Sequence, residues 1–121
     1  MTLKDFEDLV AAALDNLPEV FAKAMDNVEV VVEIWPTPSD LAAGHVPPGS
    51  TLFGLYRGIP QTKRANYQAA LPDKIIIFAG PIVQRFGEDV EKVKMQVRDT
   101  VLHEIGHHFG MSDTQIRAAG K

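Results

Sequence analysis

The chain has 121 residues and a mass of 13.3 kDa, room for one hydrophobic core but not for separate catalytic and substrate domains. Its 45% hydrophobic and 23% charged residues lie near the globular average, which argues against wholesale disorder. Lys plus Arg number 12 against 16 Asp plus Glu, a net charge of −4 that disfavours nucleic acid or an anionic membrane as partner, and the absence of cysteine excludes disulfides, thiolate metal sites and a cysteine nucleophile.

Met1 to Asp8 is acidic and lacks the basic and apolar regions of a secretory signal. The longest uncharged apolar run, Ile75 to Val83, is about half of what a membrane helix needs. The expectation is a soluble, cytoplasmic protein with no membrane partner, although a processed piece of a larger precursor would read the same way.

Thr2 can cap a first helix, with Asp5 three residues on as an acidic capping-box variant. Phe6, Leu9, Val10, Ala13, Leu14 and Leu17 follow at helical spacing. Pro18 reads as the first residue of a second helix running to Asp26. Val28 to Trp35 alternates, placing Val28, Val30, Val32 and Ile34 on one face of a strand. Residues 36–50 hold four prolines and two glycines, with a short helical turn at Ser39 to Ala43 and a solvated His45.

Thr51 to Gly58 is a second strand, loosened by glycine and followed by Pro60, which fits an edge position. Gln61 to Asp73 is polar and loop-like. Lys74 to Ala79 is apolar on both faces and therefore central. Pro81 to Phe86 forms a helical turn ended by Gly87. A long helix follows from about Glu88 to Phe109 and stops at Gly110. Ser112 and Gln115 form a second capping box, opening a short terminal helix to about Ala119. Residues 1–121 thus make a single α+β domain: N-terminal helices, a small three-stranded sheet, a long helix and a short C-terminal helix.

His103-Glu104-Ile105-Gly106-His107 is H-E-x-x-H on that long helix. Residues four apart on a helix differ by only ~40° around its axis, so both imidazoles can reach one zinc ion. Glu104 follows at ~100° and can face a metal-activated water as general base without ligating. The pattern continues to H-E-x-x-H-x-x-G-x-x-D, which a shuffled chain of this composition would meet roughly 3 times in 100,000, so it is a strong signal. A positive φ at Gly110 lets the chain turn back and bring Asp113 to the same metal. Asp113 would otherwise be an ordinary acid in the first turn of a helix.

Stepping 100° per residue puts Val90, Val93, Val97, Val101 and Ile105 on the core face of the long helix. Gln96, Thr100, His103 and His107 form a neighbouring polar stripe that reads as a cleft floor. His108 points with the apolar face, where it should lie buried among Val97, Val101 and Ile105 and serve behind the site rather than as a ligand. Met111 lies inside the motif and reads as packing.

The extended motif resembles that of the metzincin zinc peptidases in the variant with Asp as third ligand. More closely, the chain resembles a family of small bacterial zincin-like metallopeptidases, through Phe53 to Pro60, Leu71 to Phe78 and Thr100 to Asp113. The resemblance implies a minimal zincin fold, one zinc ion, His103, His107 and Asp113 as ligands and Glu104 as base. It supplies no substrate; the expected partner is a peptide or flexible protein segment, and since zincins commonly bind an extended peptide along an edge strand, Thr51 to Arg57 is the candidate edge. Tyr56, Arg57 or Tyr67 could stabilise an oxyanion beside the metal. One departure stands out: metzincins place a methionine turn downstream of the third ligand, whereas none of the eight residues after Asp113 is methionine. The first expectation is therefore a zinc metallopeptidase. Its alternatives are a non-catalytic zinc-stabilised binding module and, disfavoured by the acidic charge, a metal-dependent ribonuclease.

Overall fold

Thr2 and Asp5 close the first helix reciprocally. The Thr2 hydroxyl accepts from the Asp5 amide at 3.1 Å, and the Asp5 carboxylate accepts from the Thr2 amide at 3.0 Å. In the computed structural model, which describes residues 1–58 and 72–120, this helix is α1 (Leu3–Leu14). It buries Phe6, Val10 and Ala13, and ends before Leu17. Pro18 is the cap of α2 (Glu19–Ala24) rather than its first residue, because its ψ of 146° is extended and its carbonyl accepts from Phe21 and Ala22.

Three strands form one sheet: β1 (Val28–Glu33), β2 (Gly54–Arg57) and β3 (Asp73–Phe78), in the order β1-β3-β2. The central β3 runs parallel to β1 and antiparallel to β2, with Ile75 opposite both Val30 and Tyr56, and Ile77 opposite Val32 and Gly54. The period of two then sorts the side chains. Ile75, Ile77, Val30, Val32 and Tyr56 join the main core with the helices. Leu55, Ile76 and Phe78 form a smaller cluster with Val31 and Leu52 on the other face. Burial on both sides is why β3 reads as an unbroken apolar run.

Strand β1 stops short of the expected Trp35. The Ile34 carbonyl leaves the ladder to accept from the Gly80 amide at 2.7 Å, and Ile34 is 54% exposed. Trp35 lies so close over Gly80 that a Cβ there would stand 2.6 Å from the indole. The two expected helical turns are both helices, α3 (Pro38–Ala43) and α4 (Ala79–Phe86). The Thr37 hydroxyl caps α3, and the 5%-exposed Asp40 answers by accepting from the Thr37 amide at 2.9 Å. Asp40 also accepts from Arg57 of β2 at 2.9 Å, tying α3 to the sheet.

The long helix is α5 (Val90–His108). Its row of Val93, Val97, Val101 and Ile105 is fully buried, as the periodicity predicts. Val90 is not part of it: at 48% exposure it borders a groove with Met1 and Leu9, beyond the reach of the core. The helix ends in a Schellman turn. The Met111 amide donates to the Gly106 carbonyl at 2.8 Å and the Gly110 amide to His107 at 3.0 Å, with φ 81° at Gly110. The last helix, α6 (Asp113–Ala119), carries the expected Ser112–Gln115 capping box. It crosses α5 at Gly106, where a Cβ would stand 2.4 Å from the buried Ile116. The architecture is α+β, and among the described residues no helix is long and apolar enough to cross a membrane.

Two outcomes follow from this packing. Gly106→Ala should destabilise by about 1–3 kcal/mol through overpacking against Ile116, despite the better helix propensity of alanine. A denaturant midpoint at or above that of the parent would contradict the close crossing. The Asp40 carboxyl is pushed up by burial, but the Thr37 amide and Arg57 outweigh this and hold it below the ordinary value. A depressed folded value adds stability above the unfolded pKa of about 3.9 and loses it as pH falls through the folded value. Asp40→Asn should therefore cost about 1–2 kcal/mol at neutral pH, a difference that narrows in thermal melts once the pH drops below about 3.9 and closes below the depressed folded value.

Candidate active site

The last two turns of α5 carry two parallel pairs of side chains, each four residues apart. His103 and His107 face α6, and Glu104 and His108 face β2. The His103 Nδ1 lies 2.8 Å from the Asp99 carbonyl. A carbonyl only accepts, so Nδ1 is the donor and Nε2 is the nitrogen turned toward Asp113. That Nε2 stands 3.9 Å from Asp113 Oδ1. The His107 Nε2 stands 2.8 Å from the same oxygen.

Asp113 reaches these imidazoles through the Gly110 turn. Ser112 does the capping of α6, which leaves the Asp113 carboxylate to turn back toward α5. The hydrogen bond from His107 holds the Asp113 carboxyl below its ordinary value. The three side chains thus converge, but as hydrogen-bond partners: 2.8 Å is shorter than the about 3.3 Å between two donor atoms of a tetrahedral zinc. Among the described residues, no group of three or more His, Cys, Asp or Glu side chains stands ready to hold a metal ion.

Glu104 is half-buried. Its Oε1 accepts from the Tyr56 backbone amide at 2.9 Å. That amide points away from β3, so it belongs to the outer edge of the sheet. Burial raises the Glu104 carboxyl above its ordinary value, while the Tyr56 amide and the two imidazoles pull the other way. A groove of about 400 Å³ runs alongside, between Thr51–Gly54 and the α5 residues Gln96, Asp99, Thr100, His103 and Glu104. Gly54 lets the helix come this close, because a Cβ there would stand 2.4 Å from Thr100 Cγ2.

Of the polar stripe read from the sequence, Gln96, Thr100 and His103 line the groove, with Gln96 Nε2 donating to Thr100 Oγ1 at 3.0 Å, whereas His107 lies outside it against Asp113. His108 is a correction. It is exposed rather than buried among Val97, Val101 and Ile105, and its ring stacks on Tyr56 at 3.9 Å between centroids. Periodicity gave its direction correctly, but the core ends at Ile105, and β2 rather than more core lies above the last turn. The Tyr56 hydroxyl donates to Asp73 at 2.7 Å, so what this residue offers Glu104 is its backbone amide. Arg57 lies with Asp40 on the sheet face away from α5. Tyr67 lies outside the described residues. His45 is exposed at φ 55°, in the loop after α3.

Sequence reasoning passed over Gly54, Gly106 and Asp73. For Gly106 a signal existed: a residue with no side chain, inside a helix, one turn from a predicted turn-back. Nothing in the sequence pointed to the pairing of Tyr56 with Glu104, 48 residues apart.

A profile of the family described as zincin-like metallopeptidase matches residues 25–121. A solved structure, a conserved hypothetical protein from Thermo thermophilus, is similar with a TM-score of 0.58 and 25% identity, over 89% of this chain and 94% of that one. No curated protein matches the chain. The matched span takes in β1 through α6, and with them the groove, Glu104 and the His103–His107–Asp113 cluster. The chain belongs to the zincin-like metallopeptidase family.

Proposed function

We propose that this chain is a zinc-dependent metallopeptidase acting on extended peptide segments, with His103, His107 and Asp113 as zinc ligands and Glu104 as general base. The observation that carries the reading is the 2.9 Å hydrogen bond from the Tyr56 amide to Glu104. It brings a half-buried carboxylate and the outer edge of a sheet together beside one groove.

The donor types are those zinc takes: two imidazole nitrogens lie 3.9 and 2.8 Å from one carboxylate oxygen, on helices joined by the Gly110 turn, and opening the 2.8 Å contact would make room for the ion. The Asp99 carbonyl fixes the ring of His103 from behind, as ligand histidines are commonly fixed. Zinc in that position supplies Lewis acidity, which acidifies water and polarises a scissile carbonyl.

The chain's own groups do the rest. The Tyr56 amide occupies Glu104 Oε1, which leaves Oε2 to take the proton of the attacking water and deliver it to the departing amine. Burial that raises the carboxyl favours this proton-holding role. Alternate residues of an edge strand present their backbone groups to the same side, so Gly54 shares the outer edge with Tyr56. With the Tyr56 amide taken by Glu104, an extended peptide would pair with the outward groups of Gly54 and lie over the groove.

Glu104→Gln tests the base. The variant should keep one zinc per chain and its melting temperature, while kcat on a peptide library falls by about 10²–10⁴-fold. Loss of zinc would mean that Glu104 coordinates. A zinc-loaded parent that cleaves no peptide would replace this reading with the non-catalytic binding module.

The ligand assignment is tested separately. Zinc at a hundredfold excess over its Kd should add about 2.7 kcal/mol of stability, because only the folded chain joins α5 to α6. Asp113→Ala should weaken zinc binding at least tenfold by competition titration, and His108→Phe should leave it unchanged. An unaltered melting temperature after verified chelation, or unaltered affinity in Asp113→Ala, would sink the assignment.

A further inference from the structure

We infer that His108 is a positioning residue: stacked on the Tyr56 ring, it holds the edge-strand amide that fixes Glu104. The role in hydrolysis rests on the peptidase reading above, but the geometry does not. Glu104 and His108 are four residues apart on α5, and both grip the same residue of β2. Glu104 takes its amide at 2.9 Å, and His108 covers its ring at 3.9 Å with only 14° between the planes. Asp73 takes the Tyr56 hydroxyl at 2.7 Å from the neighbouring strand. Tyr56 is thus held at backbone, ring and phenol.

The edge position explains why such a grip is needed. Among the described residues, β2 has a strand neighbour on one side only, so the ladder aims the Tyr56 amide outward but gives it no strand partner, and β2 is steadied by the sheet from one side alone. A single neutral hydrogen-bond donor is only a modest restraint on a half-exposed carboxylate. Against that, a carboxylate rotamer free to swing would leave the base misplaced for much of the time, and an error of about 1 Å in a reacting group is costly. A stack of two flat rings is attractive beyond the area it buries and resists sliding of the strand along the helix. His103–His107 and Glu104–His108 are therefore two interleaved pairs in one motif: the first faces Asp113, and the second clamps β2.

The test uses the full chain and two readouts. His108→Ala removes the stack, and His108→Phe keeps a flat ring in its place. By amide hydrogen exchange, the Tyr56 N–H should exchange about tenfold faster in His108→Ala than in the parent. It should return to the parental rate in His108→Phe, with Ile75 and Ile77 unchanged throughout. On a cleaved peptide, kcat should fall about tenfold in His108→Ala, with KM and zinc content unchanged, and recover in His108→Phe. Parental Tyr56 exchange in His108→Ala would overturn the inference, and so would an equal rise across Tyr56, Ile75 and Ile77, which would mark a purely structural role. The exchange result stands whether or not the chain cleaves peptides, so failure of the clamp and failure of the peptidase reading are separable.

Discussion

The distance at which α5 can lie from its two neighbours governs the site, and two glycines set that distance. A Cβ on Gly54 would stand 2.4 Å from Thr100, and a Cβ on Gly106 would stand 2.4 Å from Ile116. On one side the helix therefore meets the edge strand closely enough for Glu104 to take a backbone proton from it. On the other it meets α6 closely enough for Asp113 to reach the imidazoles. Interiors packed at crystal density leave no slack for a methyl group at such crossings. The polar geometry of the site is a consequence of these two approaches.

A helix rotates by about 100° per residue, so four successive side chains cannot share one direction. His103, Glu104, His107 and His108 use that fact. The pairs four apart each form a stripe, and the stripes lie side by side, one toward α6 and one toward β2. Metal-ligating donor types and the half-buried carboxylate are thereby held on one rigid element, with no loop between them. The turn at Gly110, which carries the chain on to Asp113, is itself pinned by two backbone hydrogen bonds.

Much of this was legible in the sequence. Capping boxes at Thr2 and Ser112, the buried row from Val93 to Ile105 and the central place of β3 follow from local rules, and local rules held. What failed were inferences of depth and of partner. Ile34 alternates correctly, yet it is exposed, because its carbonyl is drawn to Gly80 of α4. His108 points as the angle says, yet the core has already ended beneath it. Arg57 was an oxyanion candidate, and the structure pairs it with Asp40 on the far face. Each miss turns on a contact between elements distant in sequence, which periodicity does not encode.

The polar contacts within the candidate site are too weak to assemble it. His107 and Asp113 are 52% and 61% exposed in their side chains, and an ion pair so open to water is worth little. What holds Asp113 in place must be elsewhere, and the structure offers one answer: Ile116, 1% exposed, seated on Gly106 three residues further along α6. An apolar anchor one turn away positions the carboxylate, and the carboxylate is left exposed beside His107. Glu104 is arranged in the opposite sense, half-buried and with one oxygen already engaged by an amide. The imidazoles and Asp113 face water, whereas Glu104 sits where water is scarcer and where a carboxyl more readily holds a proton.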